Sequence, residues 1–170
     1  PVLTGDLSGY LEKYDIWSSY RPEERGVLIA YASIYGNTAS AALRLRDMLA
    51  RRGEKRVAAV DLARSDISRA VADAFRYDAL VLAAPSYDGA VLPPMAAFLS
   101  RLKAKNWQKR TAAVIENGSW APSAGKVMLA ALAEMKDVAV LEPMVSIRSA
   151  VSEETATKLN ELADALAARG

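Results

Sequence analysis

One stretch near the amino terminus, Val27–Ser40, constrains the fold of this chain more than any other. It reads VLIAYASIYGNTAS, which is a short apolar run, a loop of small polar residues and the start of a helix. A buried strand that passes through such a loop into a helix directs unpaired N–H groups, and the positive end of the helix dipole, toward a ligand. The stretch therefore predicts an anion-binding site at the end of the first strand.

The loop between this strand and its helix, SIYGNT, carries neutral hydrogen-bond donors and no basic residue. Ser33, Asn37 and Thr38 supply side-chain donors, and Gly36 lets the backbone bend close to a ligand. No Gly-Lys-Ser/Thr follows, which excludes a Walker loop, and the G-x-G-x-x-G pattern of dinucleotide sites is also absent. We therefore expect a phosphate that is held by neutral donors.

Beyond this stretch, apolar strands alternate with helices to the end of the chain. Strands are predicted at residues 27–32, 56–62, 79–84, 111–116 and 138–141, and an extension of the last through 144–147 is left open. Helices are predicted at residues 37–52, 68–75, 94–102, 124–135 and 152–169. This alternation predicts an α/β fold with a parallel sheet that is covered on both faces. Five such units fit a doubly wound sheet with strand order 2-1-3-4-5.

The first 25 residues differ from this pattern and form a leading segment. We predict a linker helix within residues 1–25, opened by Asp6 or Ser8, and one domain over residues 26–170. Large apolar side chains recur at helical spacing at Leu7, Tyr10, Leu11, Tyr14 and Trp17. These side chains could cover the core of the domain or dock onto a neighbouring domain, and the first is the prediction taken here.

The composition excludes several kinds of chemistry. The 170 residues include no histidine and no cysteine, so a Ser-His-Asp triad, thiol chemistry and the usual Cys or His metal sites cannot be built. Any redox chemistry would need a bound cofactor. The net charge of +2, with 25% charged residues, is too balanced to favour binding to nucleic acid.

The sequence also bears on where the protein is expected to work. It contains neither a signal peptide nor an apolar run that would span a membrane, so we expect no membrane partner and a cytoplasmic location. The chain begins with Pro1 rather than Met. We therefore expect a part of a longer polypeptide, or the product of processing.

In a doubly wound sheet, ligands lie beyond the carboxyl ends of the strands, where the strand order reverses. This rule brings together three loops, Ser33–Thr38, Pro85–Gly89 and Asn117–Ala121. The second and the third loop each carry an aromatic residue and a glycine. A phosphate pocket beside two aromatic rings fits flavin mononucleotide (FMN), a flat heterocycle with one phosphate. We assign no catalytic residue and no metal ligand. The predicted cofactor-binding residues are Ser33, Ile34, Tyr35, Gly36, Asn37, Thr38, Pro85, Ser86, Tyr87, Asp88, Gly89, Asn117, Gly118, Ser119, Trp120 and Ala121.

Each of these loops also has a purely structural interpretation. Tyr87 and Trp120 could be ordinary surface aromatics, and Gly89 and Gly118 could be turn residues. The hypothesis of a cofactor site depends on the convergence of all three loops at one edge of the predicted sheet.

These motifs resemble the flavodoxin-like family. The segment Ser33-x-Tyr35-Gly36-Asn37-Thr38 matches the phosphate-loop pattern Ser/Thr-x-Thr/Tyr-Gly-Asn-Thr of that family. The stretches PSYDG, PPM and IENGSWAPSAGK are similar to the carboxy-terminal domain of the flavodiiron proteins, also called A-type flavoproteins. The leading segment, with Tyr14-Asp15-x-Trp17, resembles their interdomain linker. The resemblance covers essentially the whole chain.

The resemblance implies a flavodoxin-like domain that binds FMN non-covalently. The phosphate would bind at Ser33–Thr38, and Ser86–Gly89 and Asn117–Trp120 would flank the isoalloxazine ring. The implied function is electron transfer, from rubredoxin or a similar small redox protein to a diiron site that reduces oxygen or nitric oxide. In the relatives, that site belongs to an upstream metallo-β-lactamase-like domain, and the full-length proteins form homodimers. These 170 residues contain no such domain, so the resemblance implies an oxidoreductase module that is catalytically incomplete alone.

Two alternatives stay open and one is excluded. An NAD(P)H quinone reductase of flavodoxin-like fold would bind FMN through similar loops but turn over its own substrate. A purely structural interaction domain would bind no FMN. A receiver domain shares the strand order, but it needs acidic residues after the first strand and an aspartate after the third. The sequence has Ala32-Ser33 and Pro85-Ser86 at these positions, which excludes it.

Overall fold

The structure is a computed structural model that describes residues 8–169. The predicted helix start at Asp6 and the apolar position Leu7 lie outside these residues. The strands are β1 (Glu24–Tyr31), β2 (Val57–Asp61), β3 (Tyr77–Tyr87), β4 (Ala90–Val91), β5 (Arg110–Asn117), β6 (Val138–Val140) and β7 (Val145–Ile147). The helices are α1 (Ser8–Ser18), α2 (Asn37–Arg51), α3 (Ile67–Arg76), α4 (Pro93–Ala104), α5 (Ala124–Ala133) and α6 (Glu153–Ala168).

The strands form one seven-stranded sheet with the order β2-β1-β3-β5-β6. These neighbours all pair in parallel, and β7 also pairs in parallel with β5. Because β6 lies beside the first half of β5 and β7 beside the second half, the two short strands together occupy the fifth position of the sheet. The predicted doubly wound sheet, with strand order 2-1-3-4-5, is therefore confirmed.

Two apolar cores cover the two faces of the sheet. Successive side chains of a strand point to opposite faces, so the central strands supply both cores. Leu28 and Leu80 pack with α3, α4 and α5, while Ile29 and Val81 pack with α2 and α6. All four side chains are fully buried. This double burial explains why the strands read as continuous apolar runs in the sequence.

The main differences from the predicted strand boundaries occur at three places, and the other ends differ by one or two residues. β1 begins at Glu24, before the predicted start, and its register to β3 shifts between Glu24 and Val27. β3 continues through Tyr87 because Asp88 and Gly89, with φ values of 51° and 72°, form a tight turn into the antiparallel strand β4. The fifth strand position is divided at Glu142–Pro143, a cis peptide. The strand β4 has only two residues, too few for a periodic pattern in the sequence.

The leading helix α1 lies off the core, so the prediction that its apolar side chains cover the core is wrong. No residue of α1 is buried, and Tyr10, Leu11, Tyr14 and Trp17 are 56–70% exposed. A hydrogen bond attaches the segment after α1 to the start of β5, where Arg110 Nη1 donates to Tyr20 O at 2.6 Å. Among the described helices, none has both the length and the apolar character that crossing a membrane requires.

Buried arginines stabilise the edge of the sheet where the strands begin. The side chain of Arg169 is 2% exposed and donates to both Asp78 carboxylate oxygens, at 2.9 and 3.0 Å, and to Glu54 at 2.8 Å. Arg110 donates to the carbonyl oxygens of Tyr77 and Phe75. Burial lowers the pKa of Arg110 to about 10, so its guanidinium stays charged at neutral pH. Charged side chains thus close this edge, opposite the edge where the strands end.

Candidate functional site

A cleft of about 210 Å³ lies where β1, β3, β5 and β7 end. All four strands are parallel, so their carboxyl ends meet at one edge of the sheet. Ten of the predicted site residues line this cleft, and Ser149 lines it in addition. The lining residues are Ser33, Ile34, Tyr35, Asn37, Thr38, Pro85, Ser86, Asn117, Gly118, Ser119 and Ser149. None of these side chains is ionisable apart from Tyr35.

The first wall of the cleft is the turn from β1 into α2. Gly36 has a φ of 87°, a left-handed conformation that favours glycine, and its N–H donates to Ser33 Oγ at 3.0 Å. Helix α2 then begins at Asn37, and no side chain among the described residues caps its first turn. Thr38 is 1% exposed and lies in that turn. The first-turn N–H groups of α2 are therefore open to a ligand in the cleft.

Helices α3 to α6 differ from α2 in how the N–H groups of their first turns are capped or replaced. Asp66 caps α3 and Ser152 caps α6, and α4 begins with two prolines, which have no N–H. At the start of α5, Ser86 Oγ accepts from two successive N–H groups at 2.7 and 3.0 Å. A Glu116 carboxylate oxygen accepts from a third at 2.8 Å. Among helices α2 to α6, α2 thus presents the uncapped first turn that can attract an anion.

The second predicted loop, Pro85–Gly89, contributes only its first two residues to the lining of the cleft. The Ser86 hydroxyl accepts hydrogen bonds from α5, so this side chain joins the second loop to the third. Tyr87 is 50% exposed, and Asp88 and Gly89 are exposed in the hairpin turn. These three residues lie outside the lining of the cleft.

The third predicted loop is organised by Asn117, which is 8% exposed. Its Nδ2 donates to Thr38 Oγ1 at 3.3 Å and to Ser149 O at 3.2 Å. Asn117 therefore connects the start of α2 to the segment after β7. The rest of this loop is more open, since Trp120 is 92% exposed, and both Trp120 and Ala121 lie outside the lining.

A fourth loop, which follows β7, also lines the cleft through Ser149, a residue that was not among the predicted site residues. Ser149 has a φ of 68°, and its Oγ lies 2.7 Å from Ser119 Oγ. The sequence did contain a signal for it, because the polar residues Arg148 and Ser149 directly follow the apolar segment 144–147. The rule that placed the other three loops at the carboxyl edge applies equally to the end of the fifth strand.

Behind the cleft, Glu116 is a buried carboxylate that is 4% exposed. One of its oxygens accepts from the Gly125 N–H in α5, and the other accepts from the Ser146 hydroxyl in β7. A Cβ atom at Gly125 would lie 2.7 Å from that carboxylate oxygen and 2.6 Å from Met144 Sδ, so a larger residue there would displace these side chains. Among the described residues, no basic side chain forms an ion pair with Glu116.

Larger clefts occur elsewhere on the molecule, but β1, β3, β5 and β7 do not end at them. One of about 540 Å³ lies between α1, α3 and α4 and includes Trp17, Phe75 and Arg101. Another, of about 680 Å³, lies beside α5 and β6. We consider the smaller cleft the candidate site because polar groups from four loops converge there.

Comparison with solved structures shows the same fold in two kinds of protein. The rubredoxin oxygen:oxidoreductase of Desulfovibrio gigas superposes with a TM-score of 0.86 at 19% identity, over 94% of this chain and 39% of that chain. The flavodiiron protein of Giardia intestinalis gives 0.81 at 23% identity, over 95% and 40%. Flavodoxin 1 of Bacillus cereus gives 0.71 at 20% identity, over 83% and 96%.

This chain thus spans about two fifths of the length of those two larger proteins and nearly all of the flavodoxin. No curated protein matches it in sequence. The family model of the flavodoxin domain matches residues 28–158, well over half of the chain. That match includes all four loops of the cleft, and on this evidence the chain belongs to the flavodoxin domain family.

Proposed function

We propose that this domain binds FMN non-covalently in the cleft and serves as an electron-transfer module. The observation that carries the proposal is the uncapped first turn of α2, which faces the cleft between Ser33 and Thr38. A phosphate group would accept hydrogen bonds from these open N–H groups and would be stabilised by the helix dipole. Membership of the flavodoxin domain family supports the same cofactor.

The residues present fit such a cofactor. The first loop offers N–H groups and hydroxyl groups without a basic side chain, and Asn117 fixes the position of Thr38 from the opposite wall. The cleft, at about 210 Å³, is smaller than the roughly 300–1,000 Å³ of usual ligand pockets. We therefore propose that it holds the phosphate end of FMN, while the exposed rings of Tyr87 and Trp120 flank the isoalloxazine.

Bound FMN would supply the one- and two-electron redox chemistry of this domain. The chain itself would bind and orient the cofactor and shield one part of it from water. No side chain that lines the cleft has to act as an acid, a base or a nucleophile.

We further propose that this domain works beside a diiron domain of a longer flavodiiron-type protein. The support is the likeness in fold to the rubredoxin oxygen:oxidoreductase and the flavodiiron protein, which extend well beyond the matched region. In that arrangement, rubredoxin or a similar small protein would donate electrons. The FMN would relay them to iron, where oxygen or nitric oxide is reduced. The longer protein would act as a homodimer.

The test is a titration of the purified apoprotein with FMN, followed by quenching of flavin fluorescence and by the visible spectrum. We expect saturable binding of one FMN for each chain, and a colourless protein that takes up no FMN would overturn the proposal. Steady-state oxidation of NADH or NADPH by the loaded domain, with a quinone present, distinguishes the alternative. Turnover there would favour a quinone reductase over an electron-transfer module.

A further inference from the structure

The cleft between α1, α3 and α4 has no part in the function proposed above, and we call it the α1 cleft. Its volume of about 540 Å³ lies within the roughly 300–1,000 Å³ that is usual for small-molecule sites. Among the described residues, none lines both the α1 cleft and the cleft at the ends of the strands. A ligand in the α1 cleft would therefore occupy a separate, second site.

Part of the lining of the α1 cleft is apolar. Val71, Ala72 and Phe75 lie at helical spacing on α3, and Trp17 lines the cleft from α1. Val71 is 4% exposed, whereas the ring of Trp17 is 56% exposed. The indole Nε1 of Trp17 donates to Glu23 Oε1 at 2.9 Å, which fixes the position of the ring. This lining favours a flat apolar group, because aromatic rings stack on or pack edge-to-face against one another.

The wall that α1 contributes is held in place although α1 lies off the core. Lys109 Nζ donates to Ser19 O at 3.0 Å, beside the hydrogen bond from Arg110 to Tyr20 O. Both acceptors directly follow α1, so these contacts anchor the end of the helix at which Trp17 lies. The α1 cleft is therefore formed before any ligand enters it.

Positive charge forms another part of the lining. Arg101 and Lys105 lie one turn apart on α4, and both line the α1 cleft. Among residues 8–169, neither is in an ion pair, and the Arg101 guanidinium donates only to Ser68 Oγ, at 3.1 Å. A guanidinium has five N–H donors, so most of them stay free for a ligand. Glu23 supplies the single carboxylate of the lining, which leaves a net charge of one positive unit.

We propose that the α1 cleft binds a small aromatic molecule that carries one carboxylate group. The carboxylate accepts hydrogen bonds from Arg101, whose planar fork matches its geometry, and Lys105 adds a second positive charge. The aromatic body packs against Phe75 and Trp17. A ligand with a second negative charge is disfavoured, because it would lack a positive partner and would be repelled by Glu23.

The shape of the α1 cleft favours a small molecule over a peptide. Of the exposed apolar side chains of α1, Trp17 lines the cleft, whereas Tyr10, Leu11 and Tyr14 do not. The apolar lining therefore does not continue along α1 as the long groove that a helical peptide would need. The inference does not depend on FMN, so a failure of FMN uptake would leave it intact.

The first test is an NMR titration of the isotope-labelled protein with 2-naphthoate, an aromatic monocarboxylate. The chain has three tryptophans, and the indole N–H signals of Trp17 and Trp120 report on the two different clefts. Trp17→Phe and Trp120→Phe assign these signals. We expect the Trp17 signal to shift saturably, with a Kd of about 1 mM or lower for a probe of this size. The absence of a saturable shift, or a larger shift of the Trp120 signal, would overturn the inference.

The second test measures how far binding depends on the charge of Arg101. Arg101→Gln keeps an amide that can donate to Ser68 but removes the positive charge. By calorimetry, we expect it to weaken 2-naphthoate binding by about tenfold or more, and to leave the binding of the neutral 2-naphthamide unchanged. Arg69→Gln is the matched control, because Arg69 is exposed on α3 and does not line the cleft. Equal losses in the two variants, or equal affinities of the wild type for the two probes, would contradict the proposal.

A third variant tests the location and identifies another occupant. Ala72→Glu adds a carboxylate to the α1 cleft at an exposed position, so it should abolish 2-naphthoate binding. Unchanged binding would place the probe elsewhere and overturn the inference. Sedimentation of the wild-type protein should show a monomer. A dimer that Ala72→Glu dissociates would instead show that a second copy fills the cleft, and the inference would fall.

Discussion

Replacement of Thr38 by valine tests the phosphate site with the least disturbance of the fold. Valine has nearly the same shape, so no cavity forms at a residue that is 1% exposed. The apoprotein loses the hydrogen bond to Asn117, whose length of 3.3 Å places it at the weak end of the range. Because Asn117 Nδ2 keeps its second acceptor, Ser149 O, we expect the free energy of unfolding to fall by only about 0.5–1 kcal/mol.

The effect on FMN should be larger, because the same hydroxyl would donate to a charged phosphate. A hydrogen bond to a charged group contributes roughly 1.5–3 kcal/mol, which predicts a loss of affinity of about 10- to 150-fold. The assay is fluorescence titration of the apoprotein with FMN, beside urea unfolding. Thr157→Val is the matched control, since that hydroxyl is exposed on α6 and donates to Glu153 O. An affinity of Thr38→Val within twofold of the wild type would refute a phosphate at the start of α2.

Three further predictions concern the stability of the fold and the rim of the cleft. Gly36→Ala should lower the free energy of unfolding by about 1–2 kcal/mol, because φ is 87° and an L side chain is strained there even though its Cβ atom would meet no neighbour. Gly9→Ala, in α1, is the control and should not destabilise the protein in the same thermal melt. Arg169→Met should cost about 3–5 kcal/mol in urea unfolding, because it leaves the carboxylates of Asp78 and Glu54 without their buried partner; a cost below 1 kcal/mol would contradict the importance of this cluster. Trp120→Ala should change the free energy of unfolding by less than about 0.5 kcal/mol, because the ring is 92% exposed, but it should weaken both FMN binding and the quenching of flavin fluorescence. Unchanged values for both would show that the ring does not contact the flavin.

The sequence predicted the sheet well because its signals there are repeated. The central strands are buried on both faces, so runs such as 27–32 are apolar throughout, and the alternation of five strands with helices predicts the doubly wound order. The leading helix shows where a single pattern fails. The apolar spacing correctly predicted a helix, but spacing alone cannot show whether another part of the same chain covers its apolar face. In the structure the face is exposed.

The candidate site was predicted only in part, for a similar reason. The turn at Gly36 has a local signal, because a glycine between polar residues must link strand and helix. The contacts of Asn117 with Thr38 and Ser149 join residues far apart in the sequence, and the role of Ser86 as a cap of α5 depends on the packing of a later helix. No local pattern encodes such contacts. They follow only once the order of the sheet and the paths of the loops are known.

The hydrogen bonds of Asn117 have a consequence for how this domain acquires a ligand. One amide group connects residue 38, early in the chain, with residue 149, late in the chain, across the end of β5. The walls of the cleft therefore come together only when nearly the whole chain has folded, including the last strand. A ligand that needs this cleft binds the native state alone, so its binding stabilises the complete fold by mass action. Uptake of the ligand would thus favour the state in which the segment after β7 lies against Asn117.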